Sequence, residues 1–201
     1  NIPANMEQLK AMYPEAPESK NGIFLLFKAA NKIKEPSCDE YEAIPFARGS
    51  EVEFGAPLAT EQQKALKHYV DSHEEALAMI YEALAYPYVR LTHYRYGNDY
   101  DFFSSLRKLS RFLYTVAIHA AISNDATRSF EATKANFAVT EISIYGSDFM
   151  SELTRFAALG LVIESVAKAM SYTTLTPSMI HTYMEILAVE EARIIKCYQD
   201  A

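Results

Sequence analysis

The sequence has no tryptophan, two cysteines and six glycines. With so few glycines and no glycine-rich phosphate-binding motif, we do not expect a nucleotide site built from backbone amides. Two cysteines, Cys38 and Cys197, are too few for a disulfide framework. They are either free thiols or one bridge, and both alternatives stay open. No apolar run approaches the ~20 residues that a membrane-spanning helix needs.

Positive charge is also scarce. The chain carries 19 lysines and arginines against 26 aspartates and glutamates, which gives a formal charge of −7. Non-specific binding of nucleic acid requires clustered lysine and arginine side chains that neutralise phosphates. We therefore expect no nucleic-acid partner.

Metal-binding and catalytic motifs are missing as well. The densest set of potential ligands is His68 and His73 with Asp71 and Glu75. A separation of five residues places the two imidazole rings on different sides of a helix, whereas a separation of four would align them. We predict no metal and no cofactor. Without a catalytic motif the sequence leaves enzymatic activity open and favours a non-enzymatic protein.

Apolar residues at helical spacing recur through most of the chain. They predict about six helices, with turn and capping residues between them. The predicted helices cover residues 21–35, 60–86, 102–124 and 125–146, and two more begin at Asp148 and Thr176. The predicted inward face of the fifth helix is Leu153, Phe156, Leu159, Ile163 and Val166. That of the sixth is Ile180, Tyr183, Leu187, Ile194 and Tyr198.

Short connections between the last four helices make neighbouring helices antiparallel. We predict an all-α fold in which antiparallel hairpins stack as an irregular bundle or an α-α superhelix. Residues 21–201 form one domain in this prediction, and residues 1–20 form an extended lead-in. The hairpins resemble tetratricopeptide repeats only in style, because no 34-residue period recurs.

Three local patterns give further expectations. Thr60 and Gln63 have the spacing of a capping box, with Thr60 as the residue that caps the second helix. Gly160 lies inside a predicted helix, where close approach of a neighbouring helix explains a glycine most simply. Glu164 and Lys168, four residues apart, are expected to form an ordinary surface ion pair.

The stretch "YPYVRLTHYRYGNDYDFF", residues 86–103, is unusually rich in tyrosine. Tyrosine combines an apolar ring with a polar tip and is common at binding interfaces. One interpretation is a groove that takes a peptide carboxylate or a sugar ring. The other, which we favour, is a connection between two helices whose tyrosines seal the end of the bundle. The candidate binding residues are Arg90, His93, Tyr94, Arg95 and Tyr96.

Four blocks carry a resemblance to a known family: "NGIFLLFKAANKI", "HEEALAMIYEAL", "VRLTHYRYGNDYDFFSSLRKLSRFLYTVAIHAAISND" and "MSELTRFAALGLVIESV". Their spacing resembles that of uncharacterised helical proteins of planctomycete and related bacteria. This chain has more tyrosine where those proteins usually carry aliphatic residues and arginine. The resemblance implies an all-helical array, exported or membrane-anchored through an upstream segment, with no activity to carry over. Because the chain begins at Asn1 and not at a methionine, we expect that an upstream segment was removed. That segment is a signal peptide, a membrane anchor or a part of the protein that was left out by choice.

These patterns favour a non-enzymatic helical scaffold that binds a protein or peptide. The alternative is a small-molecule sensor or enzyme with a pocket inside the helical array. An exposed apolar face favours the first, and an enclosed cavity with converging polar groups favours the second. The identity of a partner and the oligomeric state stay open.

Overall fold

The computed structural model describes residues 16–36, 40, 44, 52–53, 55–90, 100–142 and 149–199. Within these residues there are seven α-helices and no β-strand, so the all-α prediction is confirmed. The helices are α1 (Ile23–Lys32), α2 (Thr60–Asp71), α3 (Glu74–Leu84), α4 (Tyr100–Ile122), α5 (Ala126–Ile142), α6 (Phe149–Tyr172) and α7 (Pro177–Gln199). Among the described helices, none combines the length and the apolar character needed to cross a membrane.

Helix α4 is the centre of the core. It packs against α1, α2, α5 and α6, and α5 and α6 also pack against each other, as in a helical bundle. The apolar face predicted for this helix is buried throughout: Phe102, Leu106, Leu109, Leu113, Val116 and Ala120. A long helix with one continuous apolar face is well predicted from sequence because burial of that face stabilises it.

The turn between α4 and α5 follows capping rules. Asn124 has a φ of 58°, the left-handed conformation that commonly ends a helix. The carboxylate of Asp125 accepts a hydrogen bond of 2.9 Å from the backbone N–H of Arg128, which confirms Asp125 as the cap of the next helix. The Thr173 hydroxyl donates to Asn124 Oδ1 over 3.0 Å and ties the end of α6 to this turn.

The prediction of one helix over residues 60–86 is wrong in one respect, because the structure has two helices there. Residues 72 and 73 interrupt it between α2 and α3. The imidazole of His73 is buried and bonded on both sides. Its Nε2 accepts from the backbone N–H of Lys34 over 3.0 Å, so its Nδ1 carries the proton donated to the carbonyl of Tyr69 over 2.7 Å. This contact with a segment 39 residues away holds the break in place.

The cap of α2 also differs from the prediction. The capping position is Ala59, one residue before Thr60, and it has no side-chain acceptor. The Gln62 side chain accepts from the backbone N–H of Ala59 over 3.1 Å, which is half of a capping box. Gln63 instead donates to the carbonyl of Leu58 over 2.9 Å. The amide side chains therefore bond to the residues before the helix.

Candidate functional site

The beginning of the tyrosine-rich stretch is fastened to the start of α1. The side-chain amide of buried Asn21 donates to the carbonyl of Arg90 over 2.7 Å and accepts from its backbone N–H over 3.2 Å. The backbone of Tyr88 bonds to both neighbours of Asn21, with Gly22 N–H donating to Tyr88 over 2.8 Å. A Cβ on Gly22 would lie 2.1 Å from the carbonyl oxygen of Ala83, so only glycine fits here.

The proposed binding residues of this stretch lie mostly outside the described part of the chain. His93, Tyr94, Arg95 and Tyr96 belong to residues 91–99 and are not described. Arg90 is described, and its guanidinium carbon lies 4.9 Å from the centre of the Tyr88 ring, within cation–π range. The groove hypothesis and the sealing hypothesis both remain predictions.

A second surface, which the sequence did not predict, lies on α6. Between Leu153 and Met170 seven of its residues are exposed and uncharged: Leu153, Phe156, Ala157, Gly160, Ile163, Ala167 and Met170. We call this set the α6 apolar face. The four large side chains in it are each about half exposed. The charged Glu164, next to Ile163, has a side chain that is 40% exposed. Elsewhere among the described residues, three large exposed apolar side chains lie on α7 and three lie outside it, at Phe24, Tyr86 and Tyr88.

The α6 apolar face corrects the sequence prediction for this helix. Of the residues expected to point inward, Leu159 is buried and Val166 is half-buried. Leu153, Phe156 and Ile163 are exposed instead. On α7, Tyr183 is buried as predicted and Leu187 is half-buried, whereas Ile180 is exposed. The side chains of Ile194 and Tyr198 lie outside the described set.

The inward side of α6 carries charge. Arg155 Nη1 lies 2.5 Å from Glu190 Oε2 of α7, and their side chains are only 4% and 3% exposed. The guanidinium carbon of Arg155 also lies 4.9 Å from the ring centre of Phe156. Because each buried charge has a partner of opposite sign, the cost of removing it from water is offset. This pair connects α6 to α7.

A second inward ionic group connects α6 to α4. Lys168 Nζ lies 2.5 Å from Glu164 Oε1 and donates to the Tyr114 hydroxyl over 2.9 Å. The same hydroxyl donates to Glu164 over 2.8 Å, which closes a triangle. Burial alone would raise the pKa of Glu164, but hydrogen bonds from Lys168 and Tyr114 and the lysine charge hold this pKa below its ordinary value. Lys168 is buried, so this is not the ordinary surface pair that the sequence predicted.

Six of the seven residues of the α6 apolar face, all except Ala157, have a regular spacing and form a seam along the helix. Leu153, Phe156, Gly160, Ile163, Ala167 and Met170 follow one another at intervals of three, four, three, four and three residues. This spacing is the a/d pattern of a heptad repeat, which places apolar residues in one seam against a second helix. At 1.5 Å per residue the seam is ~27 Å long. Within the described structure no second helix covers it.

Gly160 lies in the middle of this seam. A Cβ built on it meets nothing within 4 Å. The expectation that a neighbouring helix of the same chain approaches Gly160 closely is therefore wrong. The glycine instead leaves a notch in an exposed face, with Phe156 before it and Ile163 after it.

Two grooves of the described structure are open to solvent. One of about 440 Å³ lies between α1 and α4, where Phe27 and Phe102 meet the polar side chains of Asn31, Asp101 and Lys108. A smaller one of about 190 Å³ lies between α4 and α6. In the part of the chain described, no three histidine, cysteine or acidic side chains come together in a way that could hold a metal ion.

Comparisons with known proteins add no assignment. No family model, curated protein or solved structure matches this chain. The resemblance to helical proteins of planctomycete bacteria therefore stays a hypothesis based on four sequence blocks.

Proposed function

We propose that the protein is a non-enzymatic helical module that binds another protein, and that the α6 apolar face is its docking surface. The occupant is one α-helix of a partner chain, lying lengthwise along α6. The observation that supports this most strongly is the exposed heptad seam of six uncharged residues from Leu153 to Met170. The carboxylate of Glu164 beside the seam is bonded to Lys168 and Tyr114. Large contiguous apolar patches on a protein surface commonly mark interaction sites.

The way α6 is held also supports this role. Arg155 fixes the helix to α7, and Lys168 fixes it to α4 through Tyr114. Arg155, Glu190 and Lys168 are buried, so a helix that docks on the seam does not have to break their contacts, whereas the Glu164 side chain is 40% exposed beside Ile163. A docking surface on a rigid element loses little conformational entropy when a partner binds.

The chemistry of the face restricts the partner. A seam of leucine, phenylalanine, isoleucine and methionine interrupted by glycine and alanine fits a helix whose own large side chains enter the small positions. Charged side chains at the centre of the partner helix would be buried without a partner, which is costly. We therefore expect an uncharged apolar seam on the partner, flanked by polar residues.

A designed peptide tests this proposal even though the natural partner is unidentified. The probe is a fluorescein-labelled helix of three heptads, about 21 residues, with alternating leucine and alanine in its seam and balanced glutamate and lysine elsewhere. Binding is followed by fluorescence anisotropy. A scrambled peptide of the same composition shows whether the seam is required.

Two variants of the protein locate the binding site. Ile163→Glu places a charge in the seam, and Phe24→Glu places one on α1, where the native side chain is equally exposed, 49% in both cases. We expect Phe24→Glu to bind like the unaltered protein and Ile163→Glu to bind at least about tenfold more weakly. Equal binding by both variants, or no binding of the seam peptide to any of them, would contradict the proposal.

A further inference from the structure

We infer that the helix docked on the α6 apolar face is α6 of a second copy of this chain, running antiparallel. This inference rests on the proposed function, because it identifies the partner of the same surface. It follows from the order of large and small residues along the seam. That order is large, large, small, large, small, large: Leu153, Phe156, Gly160, Ile163, Ala167, Met170.

In an antiparallel pair of helices, each a position of one helix faces a d position of the other. A single register pairs every seam residue. In this register Leu153 faces Met170, Phe156 faces Ala167 and Gly160 faces Ile163. A two-fold axis passes between residues 161 and 162, so each of these contacts occurs twice. The phenylalanine and the isoleucine each meet a small residue. Such matching gives interfaces the close packing of protein interiors.

A parallel pair would match the seam poorly. Gly160 would face Gly160 and Ala167 would face Ala167, which leaves voids. Phe156 would face Phe156, which crowds two rings at one level. Empty space and overpacking are both unfavourable, so the order of residue sizes selects the antiparallel arrangement. A two-fold axis also makes the interface closed, with the same patch on both copies.

Charge and area agree with a weak dimer. Each chain carries a formal charge of −7, so two copies repel at long range, and that repulsion is screened over ~10 Å at 0.1 M salt. The exposed residues of the seam are uncharged, so no like charges meet in it. The four large side chains of the seam are each about half exposed, so together they offer less than the ~800 Å² per partner of a standard interface. We therefore expect a weak dimer, with a dissociation constant on the order of 10–100 µM.

Sedimentation equilibrium of the whole chain, from about 5 µM to about 500 µM, measures this association. We expect a monomer–dimer equilibrium that strengthens with added salt. Ile163→Glu should weaken it at least about tenfold, because each dimer would contain two buried charges. Phe24→Glu is the matched control and should associate like the unaltered protein. Circular dichroism of each variant is the control that tests whether it stays folded.

A substitution at Gly160 distinguishes an antiparallel from a parallel arrangement of the two α6 helices. Gly160→Leu has free space in the single chain. In the antiparallel dimer the new leucine collides with Ile163 of the second copy and weakens association. In a parallel dimer it would fill the gap between two glycines and strengthen association. The double variant Gly160→Leu, Ile163→Ala exchanges the large and small positions and should restore the antiparallel dimer.

The outcomes separate this inference from the proposed function. A dimer weakened by Ile163→Glu and by Gly160→Leu, and restored by the double variant, supports the inference. A dimer whose association is not weakened by Ile163→Glu, or is strengthened by Gly160→Leu, overturns the inference. A chain that stays monomeric but still binds the seam peptide overturns the inference alone. A chain that neither self-associates nor binds the peptide overturns both.

Discussion

Arg155 of α6 and Glu190 of α7 form an ion pair of 2.5 Å in which both side chains are almost completely buried. The next residue, Phe156, is 48% exposed. On this helix charge therefore points inward and an aromatic ring points outward, the reverse of the usual arrangement of an amphipathic helix. The reversal leaves large apolar side chains exposed and underlies the proposed docking surface.

Breaking this ion pair from one side should destabilise the fold. Arg155→Met removes the arginine that pairs with the buried Glu190 carboxylate, and we expect a loss of about 3–5 kcal/mol in the free energy of unfolding. The double variant Arg155→Met, Glu190→Leu removes both charges and should recover most of that loss. Urea denaturation measures the free energy of unfolding of the unaltered protein, the single variant and the double variant. A double variant no more stable than the single one would show that the pair itself is not the main contribution.

Gly160→Ala should stabilise the monomer. The added methyl group has nothing within 4 Å, and alanine is favoured over glycine inside a helix by about 1 kcal/mol. Thermal unfolding at a concentration too low for association measures the effect. A lower melting temperature would mean that something packs against Gly160 within the single chain.

His73 should matter far more to stability than His68. The buried imidazole of His73 bonds to the backbone of Lys34 and Tyr69, so His73→Ala removes both hydrogen bonds and should cost about 2–4 kcal/mol. His68 is exposed on the same helical segment, and His68→Ala should stay within about 0.5 kcal/mol of the unaltered protein. Comparable losses in both variants would be inconsistent with the assigned role of His73.

His119 should contribute to the loss of stability in mild acid. Burial, followed by the charge of Arg128, lowers its pKa from the ordinary value near 6.5, and these effects outweigh the opposing attraction of Asp71. As the pH falls below 6.5, the unfolded chain takes up a proton that the folded chain does not. Stability therefore falls through that window. We expect His119→Gln to lose stability less steeply there, as measured by urea denaturation at a series of pH values. Identical slopes would contradict this.

The sequence predicts those parts of the fold in which one local signal decides the outcome. The apolar face of α4 is continuous, and Asp125 caps α5 through a residue only three positions away. The break at His73 is not predictable in this way, because a backbone N–H 39 residues earlier stabilises it. A contact between residues so far apart does not alter the spacing of apolar residues around His73.

The orientation of α6 escapes sequence prediction for a related reason. Arg155 and Lys168 look like surface residues until Glu190 and Tyr114 are known to lie beside them. The heptad spacing from Leu153 to Met170 is visible in the sequence, but on its own it predicts an inward face. Spacing identifies a face, whereas the charges of neighbouring helices decide which face is buried.

Radical footprinting of two phenylalanines tests the docking surface most directly. Phe156 in the α6 apolar face is 48% exposed and Phe24 on α1 is 49% exposed, so both rings should be oxidised at similar rates in the dilute free protein. When the seam peptide is added at saturation, we expect protection of Phe156 and no change at Phe24. If Phe156 stays as reactive as Phe24 while the peptide is bound, the α6 apolar face is not the docking surface.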